Sequence, residues 1–478
     1  MYYFCRMEIS FSEKERSILE LIGSIADERG IDCFLVGGFV RDRIMGRTTN
    51  DIDIVSVGDG ILLAEEVASR LDAKPPVNIF RNFGTANIKV DDLDIEFVGA
   101  RKESYSPESR KPAVIPGTII DDQNRRDFTV NALAIQLNRS SFGKLVDPFN
   151  GLNDIEERIL KTPLHPDITF SDDPLRMMRG IRFAAQLKFR LADDTFASIK
   201  RNTERIKIVS RERIADELNK ILMTDKPSIG FELLFTSGLL DHFFPQMSAL
   251  AGAEYIDGKG HKDNFYHTLQ VIDNISATTD DLWLRWAAVM HDIAKPVTKK
   301  YEPGHGWTFH GHEVIGGRMV PKIFSQLKLP SNEKMKFVKK MVELHLRPIS
   351  LTKETITDSA IRRLLFDAGE DFDSLMKLCE ADITSKNRQK VKRFLENFEL
   401  VRIRCAEVEE KDHIRNWQPP VSGEMIMEVF GLKPGKEVGV IKNAIREAIL
   451  DGNIANEKDA ALNFMLQVGR ELGLKPLQ

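Results

Sequence analysis

The 478-residue chain is poor in cysteine, with four thiols at Cys5, Cys33, Cys379 and Cys405. They lie far apart and form no C-x-x-C pair, which excludes a disulfide framework or a zinc knuckle as the organising device. No apolar run approaches the roughly 20 residues needed to span a bilayer, so no membrane partner is expected. The opening residues Met1-Tyr-Tyr-Phe-Cys-Arg6 reach a charge before any signal-peptide core, and a cytoplasmic protein is expected. The chain shows no low-complexity tract and no repeat of fixed period. An excess of positive charge is missing too: 68 Lys and Arg stand against 72 Asp and Glu, a net charge of −4. Any nucleic-acid partner must then be held by local basic patches, not by a globally cationic surface. Nothing in the sequence fixes an oligomeric state.

What is present suits a folded protein of several domains. Hydrophobic residues make up 42% and charged ones 29%, a globular composition that argues against extended disorder. At a rough 150 residues per domain, the length implies about three units. Residues 11–30 carry apolar positions at helical spacing, and Cys33-Phe-Leu-Val36 reads as a short buried strand entering Gly37-Gly38. Strand-like runs follow at 52–57, 86–90, 93–98 and 130–137, which makes an α/β unit of the first 155 residues. From about 172 onward the pattern turns helical, with amphipathic stretches at Asp172–Leu187 and Arg211–Leu222. Trp417-Gln-Pro-Pro420 breaks the chain and opens a last helical segment to 478.

The first candidate site combines Gly37-Gly-Phe-Val-Arg41-Asp42 with Asp51-Ile-Asp53. Paired glycines after a strand let the backbone approach a phosphate and start a helix whose N-terminus favours negative charge. Taken alone, they are more often a tight turn. On a strand, residues i and i+2 share a face about 7 Å apart, so two carboxylates can share cations. Mg²⁺ prefers oxygen ligands at about 2.0–2.1 Å, and a metal pair ~4 Å apart can activate a hydroxyl and hold a triphosphate. Glu96 is the leading third carboxylate, although Asp94 has the same period and competes with it. A solvated strand edge is the alternative for Asp51 and Asp53, disfavoured by apolar Ile52, Ile54 and Val55 around them. Arg125-Arg126-Asp127 supplies guanidinium groups suited to phosphate oxygens, or else a plain surface cluster.

Gly37-Gly38…Arg41-Asp42, Asp51-x-Asp53, Arg125-Arg126-Asp127 and Asp147-Pro-Phe-Asn-Gly151-Leu-x-Asp154 follow one another in a specific order. The order resembles that of class II CCA-adding enzymes and bacterial poly(A) polymerases, of the polymerase-β-like nucleotidyltransferase superfamily. The resemblance implies an α+β protein, a nucleotidyltransferase α/β head followed by an all-α neck, an HD domain and a tail. The expected bounds are 1–155, 156–250, 251–395 and 396–478. It implies Mg²⁺ on Asp51 and Asp53 with Glu96 as the third acidic position. Gly37, Gly38, Arg41, Arg126, Asp127 and Asn131 fall where the family contacts the incoming nucleotide. The implied activity is addition of nucleotides from CTP and ATP to the 3′ end of tRNA. A poly(A) polymerase and an enzyme adding only C or only A are the near rivals.

Asp172-Asp173-Pro174-Leu175-Arg176 opens a helix, and as local structure alone Asp173 reads as its N-cap before Pro174. As a reader of bases, Asp173 and Arg176, three apart on one face, offer an acceptor and a fork of donors. Cytosine and adenine each present an amino donor beside a ring-nitrogen acceptor, so one such pair can take both. Asp172 joins the expected nucleotide-binding set, as do Arg179 and Arg182, which continue the helix. The resembling family has Glu-Asp-x-x-Arg here, and Asp172 is shorter by a methylene. Glu217 in Arg211-Glu-Arg213-Ile-Ala-Asp-Glu217 reads mainly as a structural partner of Arg213 at i+4.

A second candidate site gathers His267, His291-Asp292 and Asp382 in helical sequence. The set resembles the HD phosphohydrolase domain and implies a divalent transition metal that lowers the pKa of a bound water for phosphoester hydrolysis. A structural metal would satisfy the same residues, and a phosphohydrolase with an RNA-binding head is the rival reading from another class. His310, His312 and His345 are extra imidazoles that either extend this site to a second metal, bind phosphate, or are simply solvated near a 304–311 loop. The basic run 386–393 and the glycine turns at 423–439 resemble an RNA-holding end, and a solvated charged face is the commoner reading of such a run.

Overall fold

The computed structural model describes residues 9–81, 84–106, 109–256, 259–260, 263–351, 357–385, 387–412 and 417–477. It divides into two compact units, one to Pro245 and one from Gln246.

In the first unit, helix α1 (Glu13–Arg29) opens on a capping box, Ser12 accepting from the Glu15 N–H and Glu15 from the Ser12 N–H. It leads into β1 (Cys33–Val36), α2 (Gly38–Ile44), β2 (Asp51–Ser56), α3 (Gly60–Arg70), β3 (Val77–Phe80), β4 (Thr85–Val90) and β5 (Leu93–Gly99). The hairpin β6 (Arg101–Ser106) and β7 (Ser109–Pro116) is a separate two-stranded sheet, followed by α4 (Ile119–Asn124), β8 (Ala134–Gln136), β9 (Leu145–Val146) and α5 (Gly151–Glu156). The main sheet has the order β3-β4-β5-β2-β1-β8-β9. β2 and β5 pair in parallel, with Asp51 opposite Asp94 and Asp53 opposite Glu96. Strands β1, β2 and β5 alternate or bury their apolar residues completely, so the acidic positions sit at the edge of a packed core. The strand expected over 130–137 is shorter, because Thr129–Asn131 forms a 3-10 turn that precedes β8.

Short strands β10 (Ile159–Leu160) and β11 (Arg190–Leu191) pair in parallel beside the neck. Its helices are α6 (Pro166–Asp172), α7 (Leu175–Leu187), α8 (Asp193–Asn202), α9 (Arg211–Leu222) and α10 (Pro227–Ser237). The helix expected from Asp172 begins at Leu175. Asp172 closes α6, and Asp173 lies extended at φ −135°, as a residue before proline prefers. Pro174 takes the N-cap position expected of Asp173, whose carboxylate still accepts the Leu175 N–H at 3.1 Å. A Cβ on Gly180 would stand 2.7 Å from the Phe128 ring, so glycine is what lets the 128–131 turn lie against α7. Phe128 meets Phe183 edge to face at 6.0 Å.

The second unit is dominated by helices. Asn264–Ser276, Leu282–Met290, His312–Leu327, Glu333–Leu344 and Phe372–Ala381 form one group. A Cβ on Gly317 would stand 2.3 Å from Glu343, so the third and fourth of these pack at close range. The segment 304–311 contains one strand of a small hairpin, Lys300–Glu302 with Gly306–Thr308. A long helix, Arg388–Asp412, follows, and then three helices, Gly423–Phe430, Lys436–Leu450 and Lys458–Glu471, close on their own apolar core around Ile426, Ile441, Ile445 and Met465. Lys386, counted in the basic run, lies outside the described residues. Among the described residues no helix is long and apolar enough to cross a membrane.

Candidate functional site

The head cleft, about 620 Å³, opens where β1 ends. Gly37 and Gly38, Arg41, Asp51 and Asp53 line it from the sheet side. Arg126, Asp127 and Asn131 come from the turn after α4, and Asp173, Arg176, Arg179 and Arg182 from the neck. Gly37 has φ +76°, and a Cβ there would stand 3.1 Å from both Asp53 Oδ2 and Arg126 Nη1, so only glycine leaves this corner clear. Burial drives the Asp53 carboxyl up to about 6; Arg126 opposes the shift, while Glu96 and Asp51 add to it. Such crowding of carboxylates is what a bound divalent cation relieves.

A chain of hydrogen bonds ties three elements together. Arg41 Nη1 donates to Asn131 Oδ1 at 2.6 Å, Asn131 Nδ2 donates to Asp127 Oδ1 at 3.1 Å, and Arg179 Nε donates to Asp127 Oδ2 at 2.7 Å. Despite burial, Arg179 and Asn131 hold the Asp127 carboxyl down at about 2. Arg126 is fixed by the fully buried Asp122, at 2.9 Å from Nη2. Arg176 donates to the carbonyls of Thr169 at 3.3 Å and Arg125 at 2.6 Å. The Phe183 ring lies under three guanidiniums, with Arg182 at 4.1 Å, Arg41 at 5.2 Å and Arg179 at 5.3 Å from its centroid.

In the second unit, six side chains converge. His267 Nε2 lies 2.9 Å from Asp382 Oδ1 and 3.5 Å from Asp292 Oδ2, and His291 Nε2 lies 3.2 Å from Asp292 Oδ2. The other Asp292 oxygen, Oδ1, faces His312 Nε2 at 3.3 Å and His345 Nε2 at 4.0 Å. The Nδ1 atoms of His291, His312 and His345 each lie 2.7 Å from a backbone carbonyl, and His267 Nδ1 lies 2.9 Å from Thr384 Oγ1. That pairing turns each Nε2 toward the centre, the arrangement of metal-ligating imidazoles. His291, His345 and Asp382 are C-caps of their helices, where the backbone dipole favours positive charge.

Burial penalises charge on His291, yet Asp292 and Asp382 outweigh it and raise this imidazole to about 10. Burial and the His291 charge together push His345 down to about 4. Against the cost of burial, His291 and His312 hold Asp292 well below the usual carboxylate range. The buried Nε2 atoms of His291 and His312 make no hydrogen bond. Ring nitrogens without a hydrogen-bond partner beside a shared carboxylate fit a cation site, and the two sets His267-His291-Asp292 and Asp292-His312-His345 each have ligand spacing for one ion. His310 is exposed and belongs to neither of these two sets.

Three family models match the chain: a poly A polymerase head domain over residues 33–161, a probable RNA- and SrmB-binding site of polymerase A over 188–250, and an HD domain over 264–385. The A-adding tRNA nucleotidyltransferase of Deinococcus radiodurans is 30% identical over 357 residues, 72% of this chain and 79% of that protein. The chain belongs to the tRNA nucleotidyltransferase family. It is a class II member, related to the CCA-adding enzymes, with an HD domain. The CC-adding tRNA nucleotidyltransferase of Thermus thermophilus is 28% identical over 460 residues, 92% of this chain and 95% of that protein. A solved CCA-adding enzyme, apo form I, shares the fold with TM-score 0.63 at 22% identity, over 96% of this chain and 95% of that one.

Within this nucleotidyltransferase, two expected residues stand off the cleft. Glu96 is exposed on β5, opposite Asp53 in register but outside the cleft lining. Its competitor Asp94 accepts a hydrogen bond from Asn87. Asp172 ends α6 half-buried and outside the lining, its carboxyl raised by burial with Glu103 adding and Arg176 opposing. Glu217 is buried against Arg182 of α7 at 2.7 Å, not against Arg213 of its own helix. Arg213 instead lines the cleft, as do Phe183 and Gln186, none of which the sequence reading had placed there. Arginines at 179 and 182 on one helix were the available signal for Phe183, the ring on which both rest together with Arg41.

Proposed function

We propose a cytoplasmic enzyme whose head adds nucleotides from CTP and ATP to the 3′ end of tRNA without a nucleic-acid template. The observation that carries this reading is the corner where Gly37 lies against Asp53 and Arg126, with Asp51 beside it and a row of arginines across the cleft. Asp51 and Asp53 would hold Mg²⁺, with Glu96 as the third carboxylate, and when bound the ions supply activation of the attacking hydroxyl and charge for the pyrophosphate. Arg126, held by Asp122, and Arg41, held by Asn131, orient the triphosphate. The primer 3′-hydroxyl gives its proton to water as its oxygen bonds to the α-phosphorus, the bond from that phosphorus to the bridging oxygen breaks, and pyrophosphate leaves.

Asp173 and Arg176 are the proposed readers of the base edge. The Leu175 N–H orients the Asp173 carboxylate, and the Thr169 and Arg125 carbonyls orient the Arg176 fork. Preorganised groups discriminate without moving, and each good paired contact is worth roughly 1–3 kcal/mol. Asp127 stands behind both substrates' contacts by fixing Arg179 and Asn131.

The cluster in the second unit is proposed as a phosphohydrolase centre for divalent transition metal. Asp292, with one oxygen toward each imidazole set, supports a reading in which it serves two ions. The deciding experiment incubates the protein with tRNA lacking its terminal CCA, labelled CTP or ATP, and Mg²⁺. Incorporation of C and then A supports the reading. Incorporation of A alone points to a poly(A) polymerase or an A-adding enzyme, and C alone to a CC-adding one. No incorporation, with turnover of phosphoesters, overturns the transfer reading in favour of a hydrolase with an RNA-binding head.

A further inference from the structure

Asp382 is the least buried of the four ligands proposed from His267, His291, Asp292 and Asp382. Its side chain is 30% exposed, against 11% for His267, 1% for His291 and 3% for Asp292. His291 and Asp292 follow directly on the buried helix Leu282–Met290, whereas Asp382 arrives from another helix, Phe372–Ala381, as its C-cap. The last carbonyls of a helix lack partners within it, and such an end frays unless they are satisfied. Here Asn274 Nδ2 donates to the Ala381 carbonyl at 2.8 Å. Asn274 lies seven residues after His267 on Asn264–Ser276, a spacing that puts both on one face of that helix. The same helix therefore meets the 381–384 segment at three points. Asn274 holds the Ala381 carbonyl, His267 Nε2 lies 2.9 Å from Asp382 Oδ1, and His267 Nδ1 lies 2.9 Å from Thr384 Oγ1.

We propose that Asn274 is a positioning residue of the cation site, fixing the peptide that carries Asp382 so that its carboxylate stands at His267. This rests on the cation-site reading above and adds to it a residue that does not itself face the ion. Both atoms of the His267–Asp382 contact belong to proposed ligands, so the ties that leave the ligand atoms free are Asn274 and the Thr384 hydroxyl. Aspartate is short, and a fixed backbone leaves its carboxylate few positions. Hydrogen bonds behind metal ligands are worth roughly 10- to 100-fold in metal affinity. Arg402 provides the contrast. From the helix Arg388–Asp412 it donates to Glu380 Oε1 at 2.8 and 3.1 Å, which holds a neighbouring side chain and not the backbone of Asp382.

The test titrates the metal-stripped full chain with Co²⁺ against a chromophoric chelator and records the d–d absorption of the bound ion, which reports its ligand set. Asn274→Leu keeps the size of the side chain and loses the donor. It is expected to weaken one bound Co²⁺ roughly 10- to 100-fold and to shift the absorption of the loaded protein. Asp382→Asn should weaken the same ion, and the double variant should bind no more weakly than Asp382→Asn alone, because Asn274 acts through that residue. Arg402→Ala should leave the affinity within about threefold of the parent. If Asn274→Leu does not fold, Asn274→Ala takes its place in the same cycle. Unchanged affinity or absorption in the Asn274 variant overturns the proposal. So does a further loss in the double variant or an equal loss in Arg402→Ala, since either assigns Asn274 to general support of the fold. A parent chain that binds no Co²⁺ defeats the cation-site reading itself, and the role of Asn274 falls with it.

Discussion

Asp53 on β2 and Glu96 on β5 are register partners across the parallel strand pair of the head sheet, and the charge of one helps raise the carboxyl of the other. Asp94 pairs with Asp51 in the same register but is engaged by Asn87. Asp53→Asn is therefore expected to lower nucleotide incorporation at least ~10³-fold, the scale of losing a group that stabilises transition-state charge. Glu96→Gln should cost more than Asp94→Asn. Phosphoester hydrolysis by the second unit should be unchanged in all three, as measured in parallel on the same preparations. Loss of both activities in a folded Asp53→Asn protein would contradict two independent sites.

Gly37→Ala tests the corner directly. At φ +76° an L-residue costs about 1–3 kcal/mol, and the new methyl would press on Asp53 Oδ2 and Arg126 Nη1 from 3.1 Å. Both are side-chain ends and can yield, so the variant should fold with a lowered Tm. Yielding displaces the groups that position the reaction, and turnover should fall ~10²-fold. Turnover equal to that of the parent would show that this backbone approach is not used.

Asp127 makes the head–neck connection dependent on pH. Its carboxyl stands at about 2, below the ordinary 3.8, so its ionised form adds stability above about pH 4 and yields it as pH falls toward 2. The shift corresponds to about 2 kcal/mol. In urea unfolding, the stability gap between the parent and Asp127→Asn should be constant from pH 7 to pH 5 and narrow below pH 4. A gap that persists undiminished at pH 3 would assign the stability to shape and hydrogen bonding, not to charge.

Much of this arrangement was legible before the fold was known, and its limits have physical causes. Arg211–Leu222 was read with its observed ends, because a single amphipathic period runs between polar residues. Arg101–Ser106 and Ser109–Pro116 carry no apolar alternation and, among the described residues, form a two-stranded sheet of their own, so the β6–β7 pair was not foreseen. Pro174 split a helix read as continuous from Asp172, since proline bars its predecessor from helical geometry. Glu217 was assigned a neighbour four residues away, whereas burial at the α7–α9 contact gave it Arg182. His310, His312 and His345 look alike in sequence. Only the close approach of two helices at Gly317 distinguishes the last two, by bringing both to Asp292.

The shared position of Asp292 makes metal content a direct readout of the second unit. After dialysis against a chelator and reloading with a transition metal, the parent should retain two ions at this cluster. His345→Ala should retain one and Asp292→Asn none, because Asp292 alone faces both imidazole sets. Mg²⁺ added to the metal-stripped parent should restore nucleotide incorporation without restoring hydrolysis. One ion in the parent, unaffected by His345→Ala, would reduce the centre to His267, His291, Asp292 and Asp382.

On the proposed reading, Phe183 is expected to act on nucleotide affinity through the arginines above it. Each guanidinium over a ring face is worth about 0.5–1 kcal/mol, and Arg41, Arg179 and Arg182 lie between 4.1 and 5.3 Å from the one centroid. Phe183→Leu keeps an apolar side chain beneath them and removes the quadrupole, so the guanidiniums lose their common support while their partners Asn131, Asp127 and Glu217 remain. The KM for CTP and ATP should rise on the order of fivefold to tenfold, with a smaller fall in kcat, as expected of a row proposed to bind the ground-state nucleotide. Phe183→Tyr keeps the ring and should recover most of that affinity. Leu and Tyr variants with equal KM values would assign Phe183 to packing against Phe128 alone, and steady-state kinetics on the three proteins distinguishes the two roles.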